Sequence, residues 1–349
     1  MKIHKNIFDQ IITPENLFLA WDEFKKDKTG KSDVLAYKWD LESNIFNLNN
    51  KLKTKKYKHG GYTSFYVHDP KQRHIHKANV GDRILHHSIF TALNPVFELT
   101  FIANSFSCRA GKGTHRGVKT LGKILRGVSR NGHVACFVLK CDIKKFFDSV
   151  DHVVLKNIFS KKIIDNNVLW LVNEIIDSYF SSKSTMSQKK GMPIGNLTSQ
   201  LFANVYMNEF DQFMKHKLKV KNYIRYTDDF VVVSNDIMYL EKLLPKIDRY
   251  LKKRLKLDLH PRKIIIKKFK QGIDFLGYVS LSHYQLVRNK TKKRIFRKVK
   301  GKVNEYRNNK IPIEKVNQSM NSYLGVMSHA NEYKTEKELK NNFWFWLSR

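Results

Sequence analysis

The chain has 349 residues, 65 of them Lys or Arg against 31 Asp or Glu, for a formal net charge of +34 at pH 7. Charge of one sign on that scale repels itself and calls for a polyanion, nucleic acid before a membrane surface, and it argues against an ordinary metabolic enzyme. A hydrophobic share of 42% and an aromatic share of 12% exclude a disordered basic tail and predict a real core.

In chain order, residues 5–56 read as helical, with apolar positions at Ile7, Ile11, Leu17, Leu19 and Trp21, and again at Ile45, Leu48 and Leu52. After Gly60-Gly61, Tyr62–His68 alternates like a strand, 69–73 reads as a turn, and His74–Lys77 is the return strand. Residues 82–98 are helical, Cys108–Gly117 is a loop rich in glycine and basic residues, and 119–129 is a short helix. The apolar run Val134–Leu139 suits a buried strand. Asp148-Ser149 then caps a helix over 150–159, and 164–180 and Leu197–Leu218 are further helices. Tyr223–Tyr226 and Phe230–Val233 are short strands joined by Thr227-Asp228-Asp229. Residues 237–256 are helical, Ile264–Ile266 and Phe275–Val279 strand-like, and the chain from Arg288 onward helical and very basic.

Three cysteines without C-x-x-C spacing argue against a disulfide scaffold and for a reducing compartment. The first residues carry no apolar leader, and no run approaches the roughly 18 apolar residues that span a bilayer. A cytoplasmic protein with no membrane contact is expected. Fourteen histidines are scattered without zinc-ligand spacing.

Three aspartates stand where a carboxylate is costly. Asp142 ends the run Phe137–Asp142, and Asp228-Asp229 sits at the tip of the apolar hairpin Tyr223–Ser234. Buried carboxylates need pairing or a metal, and adjacent ones repel, which favours a divalent cation with hard oxygen ligands such as Mg²⁺. A polar hairpin turn explains Asp228-Asp229 without function, and a strand end explains Asp142 in the same way.

Taken together the motifs resemble a family. Tyr226-Thr-Asp-Asp229 resembles the Y-x-D-D motif of reverse transcriptases, and Asp142–Val150 resembles the first aspartate motif of that family. Gly191–Gln200 is similar to the segment between them, and Gly272–Tyr278 to the primer-grip strand pair. Asp82–His87 and Asn104–His115 resemble the fingers motifs of group-II-intron-like bacterial enzymes. The resemblance implies a mixed α/β right-hand polymerase: N-terminal extension and fingers over 1–135, a palm with an antiparallel sheet over 136–282, and a basic helical thumb over 283–349. It implies RNA-directed DNA synthesis on two Mg²⁺ ions, with Mn²⁺ as a substitute. Asp142 and Asp228 would hold both metals, Asp229 would be a weaker ligand, and Ile143 would lend its carbonyl.

It further implies that Phe147 packs under the incoming sugar and clashes with a 2′-OH, so the substrate is a dNTP. Asp148 is a rival polar group for that hydroxyl, with helix capping as its structural role. Arg73 and Lys77 are expected on the triphosphate, and Ile194, Gly195 and Gln200 at the nucleotide. Arg109 and Lys112 are expected on nucleic acid.

Ile194 and Gln200 replace the Gln and Pro common between the aspartate motifs, a departure similar to diversity-generating retroelement enzymes and shared by some antiphage-defence reverse transcriptases. An inactive RNA-binding scaffold is the rival from another class. About 70 residues follow Tyr278, enough for a thumb and too few for a nuclease domain. Between Arg288 and Lys310 the cations surround Ile295, Phe296, Val299 and Val303 at helical spacing, so Lys292, Lys293, Arg294, Arg297 and Lys298 form a phosphate-binding face. The expected partners are a structured non-coding RNA template, its cDNA and a small accessory protein. The aromatic segment Phe343–Leu347 closes the thumb core or docks a partner.

Overall fold

A computed structural model describes residues 6–182, 184–185 and 188–348. The start of the chain, read above as lacking a leader, and residue 5 of the first helical stretch lie outside them. Four helices replace the single helical stretch: α1 (Ile7–Ile12), α2 (Pro14–Lys25), α3 (Ser32–Trp39) and α4 (Leu41–Lys53). The breaks have local causes. Thr13 caps α2 ahead of Pro14, and Asp27 takes a left-handed backbone in the turn before α3.

The hairpin β1 (Tyr62–Val67) and β2 (Arg73–Ala78) forms as predicted, with Tyr62 opposite Ala78 and Val67 opposite Arg73. Helices α5 (Val80–Glu98) and α6 (Thr114–Val128) follow. The second starts five residues before the predicted 119, because the end of the glycine-rich loop winds into its first turn.

The centre is a four-stranded antiparallel sheet, ordered β4-β5-β3-β6, of β3 (Phe137–Asp142), β4 (Tyr223–Tyr226), β5 (Asp229–Ser234) and β6 (Ile265–Lys268). Strand β3 lies three residues later than predicted, so Asp142 is inside the ladder. Side chains alternate across this sheet with period two. Leu139, Cys141, Phe230 and Val232 join the larger core with the N-terminal helices and α10 (Leu197–Gln212). Val138, Val231, Val233 and Ile224 face α6 and a second sheet. Covering both faces explains why these strands read as continuous apolar runs.

Between β3 and α10 lie α7 (Phe146–Ser149), α8 (His152–Ser160) and α9 (Asn166–Asp177). The predicted cap is corrected here. Val150 is extended, Asp148 lies inside α7, and Asp151 caps α8 by accepting from the Val154 N–H at 3.0 Å. Helix α10 passes into a π-helical turn over Phe213–Lys217. After α11 (Ile237–Leu255), a small antiparallel sheet is built from β7 (Ile273–Phe275), β8 (Tyr278–Ser280) and β9 (Gln285–Val287). The predicted strand Phe275–Val279 is thus a hairpin, turned at Leu276 and Gly277 with φ of 52° and 90°.

Three helices close the chain, α12 (Asn289–Arg307), α13 (Ile313–Met327) and α14 (Tyr333–Ser348), around their own core of Ile295, Val299, Val316 and Phe343. Within the aromatic segment, Phe343, Trp346 and Leu347 pack inward, whereas Trp344 and Phe345 are exposed. No helix among the described residues is long and apolar enough to cross a membrane.

Candidate active site

The register of the central sheet makes the site. Asp142, the last residue of β3, lies opposite Asp229, the first of β5. Tyr226 pairs with Asp229, which leaves Thr227 and Asp228 as the two-residue turn of the β4–β5 hairpin. All three aspartates therefore line one cleft of about 620 Å³, with Lys71, Arg73, Phe147, Ile194, Gly195, Gln200 and Lys263.

Their electrostatics record the crowding. Burial, with the charges of Asp142 and Asp229 behind it, pushes the Asp228 carboxyl up to about 6. Burial also raises Asp229, where Lys140 opposes and Asp142 adds to the rise. Lys263, at the end of a 3₁₀ turn before β6, sets its ammonium 2.7 Å from Asp142 Oδ1. The ladder bonds around Ile143 run from the Lys144 N–H to the Asp258 carbonyl and from the His260 N–H to the Asp142 carbonyl, so the Ile143 carbonyl is not spent on Leu259 opposite.

Among the described residues no three His, Cys, Asp or Glu side chains stand as a ready-made metal cluster. The donor set nevertheless has the chemistry of a hard divalent cation's site: carboxylate oxygens held close against their own repulsion, with a lysine ammonium as counter-charge.

The floor of the cleft is tied to the β1–β2 hairpin. The His76 N–H donates to the Ile194 carbonyl at 2.9 Å, and Asn196 Nδ2 donates to the His76 carbonyl at 2.9 Å. Gly195 has φ +115°, and a Cβ there would lie 2.8 Å from Ile75 Cγ2, so a side chain does not fit. Phe147 packs edge-on to buried Phe146, with ring centroids 5.3 Å apart.

Three expected contacts are corrected. Lys77 does not line the cleft; its ammonium is 3.0 Å from Asp33, a carboxylate that Arg83 also holds. Arg109, with a side chain only 5% exposed, forks onto Glu98 at 2.6–3.0 Å and donates to the Ile102 and Ser105 carbonyls. It folds the loop instead of facing nucleic acid. Lys292 is spent 2.7 Å from buried Glu332. Lys112, half-buried, donates to the Ala103 carbonyl at 2.8 Å and lies over Phe106.

The other α12 cations, Lys293, Arg294 and Arg297, line a second cleft of about 630 Å³ with Lys71 and Asp69 of the hairpin tip. Lys298 lies 3.3 Å from Asp69.

Sequence reasoning missed Lys263 and the buried pair Arg225–Asp211. Lys263 gives no local signal, since it reaches Asp142 only through the pairing of β6 with β3. Arg225 does give one, as a charge inside the apolar run Tyr223–Val233.

Comparison with known proteins finds the following similarities. YkfC of Escherichia coli K12 is 25% identical over 232 residues, covering 56% of this chain and 60% of its own length. The group II intron-encoded protein LtrA of Lactococcus lactis subsp. cremoris is 26% identical over 171 residues, covering 48% of this chain and 27% of LtrA. The chain thus spans 60% or less of the length of these relatives. A solved telomerase from Candida albicans, in complex with a fragment of telomeric RNA, aligns at 11% identity with a TM-score of 0.49, over 84% of this chain and 61% of that one. The family model for reverse transcriptase (RNA-dependent DNA polymerase) matches residues 58–280, more than half of the chain and all three aspartates, and the protein belongs to that family.

Proposed function

We propose that the chain is an RNA-directed DNA polymerase that extends a DNA 3′-end on an RNA template with dNTPs. The observation that carries this is the convergence of Asp142, Asp228 and Asp229 on one cleft by the register of β3, β4 and β5. Asp142, Asp228 and the Ile143 carbonyl, with Asp229 beside them, would hold two Mg²⁺ ions, for which Mn²⁺ can substitute. Such ions supply charge stabilisation for the attacking and leaving oxygens of phosphoryl transfer.

The chain's own residues do the rest. Arg73, with Lys71, neutralises the triphosphate from the hairpin. Phe147 lies under the sugar and excludes a 2′-OH. Ile194, Gly195 and Gln200 form the floor against the base pair, and Lys293, Arg294, Arg297 and Lys298 hold backbone phosphates. The fingers over 1–135, palm over 136–282 and thumb over 283–349 divide these tasks. A structured non-coding RNA as template and a small accessory protein complete the assembly, in the cytoplasm.

The finer reading is a diversity-generating retroelement. Its support is Ile194, an apolar side chain lining the cleft that cannot hydrogen-bond the nascent pair, so that one polar check on pairing is missing. An adjacent template repeat and variable-protein gene would support it, whereas their absence would favour antiphage defence.

Primer extension on an RNA template with dNTPs and Mg²⁺ tests the activity. Product that disappears in Asp228→Ala supports the polymerase. RNA binding without product in the parent chain would instead make it a scaffold that kept the fold.

A further inference from the structure

The turn that carries Asp228 runs against its own residue preferences. Thr227, the first of its two central residues, has φ +53°. Hairpins ordinarily give that left-handed backbone to glycine, and it is costly for a β-branched residue. A strained conformation at such a place persists only where its surroundings over-determine it.

The surroundings are a buried guanidinium. Arg225 is fully buried on β4. Its Nε and Nη2 fork onto Asp211 of α10 at 2.7 and 2.5 Å, and Nη2 also donates to Ser105 Oγ at 3.0 Å. The remaining arm, Nη1, donates to the Thr227 carbonyl at 2.9 Å. Asp211 is itself fully buried and accepts from the Tyr223 hydroxyl at 2.7 Å. The loop that supplies Ser105 is fastened to the same strand: the Arg225 N–H donates to the Asn104 carbonyl, and the Phe106 N–H to the Arg225 carbonyl, both at 3.0 Å. One step further along that loop, Ser107 Oγ accepts from Thr227 Oγ1 at 2.6 Å.

A buried ion pair is a poor source of stability, since apolar residues of similar volume serve as well or better. What a fork held at three points adds is direction. Hydrogen-bonded partners behind a metal ligand orient it, and their loss weakens metal binding while the ligand itself remains.

We infer that Arg225 is a positioning residue: clamped by Asp211 and Ser105, it holds the Thr227 carbonyl and so fixes the direction in which Asp228 meets its cation. The identity of that cation site rests on the polymerase reading above. Arg225 touches neither substrate nor cation, and its charge is spent on Asp211.

The test uses the full chain and two readouts. Mn²⁺ binding is followed by electron paramagnetic resonance without RNA or nucleotide, and single-turnover extension is followed against Mg²⁺ concentration. The paired variant Arg225→Met with Asp211→Leu removes the clamp without leaving a lone buried charge. It is expected to unfold as cooperatively as the parent and to bind RNA equally well, while Mn²⁺ binding and the extension rate each fall about ten- to a hundredfold.

Arg225→Lys keeps a charge on Asp211 but has no second arm for Thr227, and shows the same loss. Adding Thr227→Gly to Arg225→Lys supplies the residue that a positive φ favours, and it restores much of the Mn²⁺ binding even though the bond to Ser107 is gone.

A folded paired variant with parental Mn²⁺ binding overturns the inference. So does an Arg225→Lys chain that Thr227→Gly does not rescue, and this comparison decides the matter if the paired variant fails to fold. Should the parent make no cDNA while Mn²⁺ binding still follows Arg225, the polymerase reading fails and the positioning role stands.

Discussion

Replacing Asp228 by asparagine removes a charge that burial and its neighbours make costly in the cation-free fold. Burial and the neighbouring aspartates hold the Asp228 carboxyl at about 6 against an ordinary 3.8. At about 1.4 kcal/mol for each tenfold step, its ionisation costs the folded chain about 3 kcal/mol, which solvent in the open cleft trims to about 2. Below pH 3.8 the carboxyl is neutral in both folded and unfolded chains. Between about 4 and 6 only the unfolded chain ionises, so stability falls as pH rises, and above about 6 the whole penalty is present.

Asparagine has the same shape and no charge. In EDTA at pH 7.5, Asp228→Asn therefore melts above the parent by about 3 °C, taking about 2.1 cal/mol/K of unfolding entropy per residue. Near pH 4 the two chains converge. Mg²⁺ narrows the gap at pH 7.5, because it compensates a charge that only the parent carries. Asp142→Asn shows no such gain, since it strips Lys263 of its partner 2.7 Å away. Scanning calorimetry across this pH range is the assay. An Asp228→Asn chain that melts at or below the parent at pH 7.5, or a gain that persists unchanged at pH 4, would refute the argument.

Three further outcomes are expected. Arg109→Ala loses a fork and two carbonyl bonds and is destabilised by about 2–3 kcal/mol in urea titrations, while the salt dependence of RNA binding stays as in the parent; a changed salt slope without destabilisation would return Arg109 to the nucleic-acid surface. Lys293→Gln with Arg297→Gln lowers the slope of log affinity against log salt by about 1.4 on single-stranded RNA, read by fluorescence anisotropy, whereas Lys292→Gln, already spent on Glu332, leaves the slope unchanged. Gly195→Ala drives a methyl into Ile75 at a backbone unsuited to it, costs about 1–3 kcal/mol, and raises the KM for dNTP more than it weakens RNA binding, because it displaces the hairpin that carries Arg73.

How far the sequence can be read depends on the distance between partners. Asp142 and Asp228-Asp229 are legible because their signal is local: a carboxylate at the end of an apolar run is anomalous whatever the rest of the chain does. The β1–β2 hairpin is legible for the same reason, since alternation and turn residues lie within 17 positions. The helices fail at their edges, where a cap decides. Asp148-Ser149 and Asp151 both offer capping side chains, and the choice falls to Asp151 because Val150 is extended between them.

The cations are a different problem. In a chain this basic, every lysine and arginine resembles a phosphate ligand, and position along the chain does not separate them. Acidic partners separate four groups of them, while Lys298 and Arg297, 3.3 and 4.0 Å from Asp69 at the hairpin tip, stay with the nucleic-acid face. Asp33 takes Lys77 and Arg83, Glu98 takes Arg109, Asp211 takes Arg225 and Glu332 takes Lys292. Lys77 and Asp33 are 44 residues apart, and Lys292 and Glu332 are 40 apart, so no window of periodicity brings them together. With 31 acids against 65 bases, the scarce residue carries the information. Each of these four carboxylates fixes one or two cations as structural, and Asp142 then stands out as the acid whose partner, Lys263, lines a cleft where another cation could take its place.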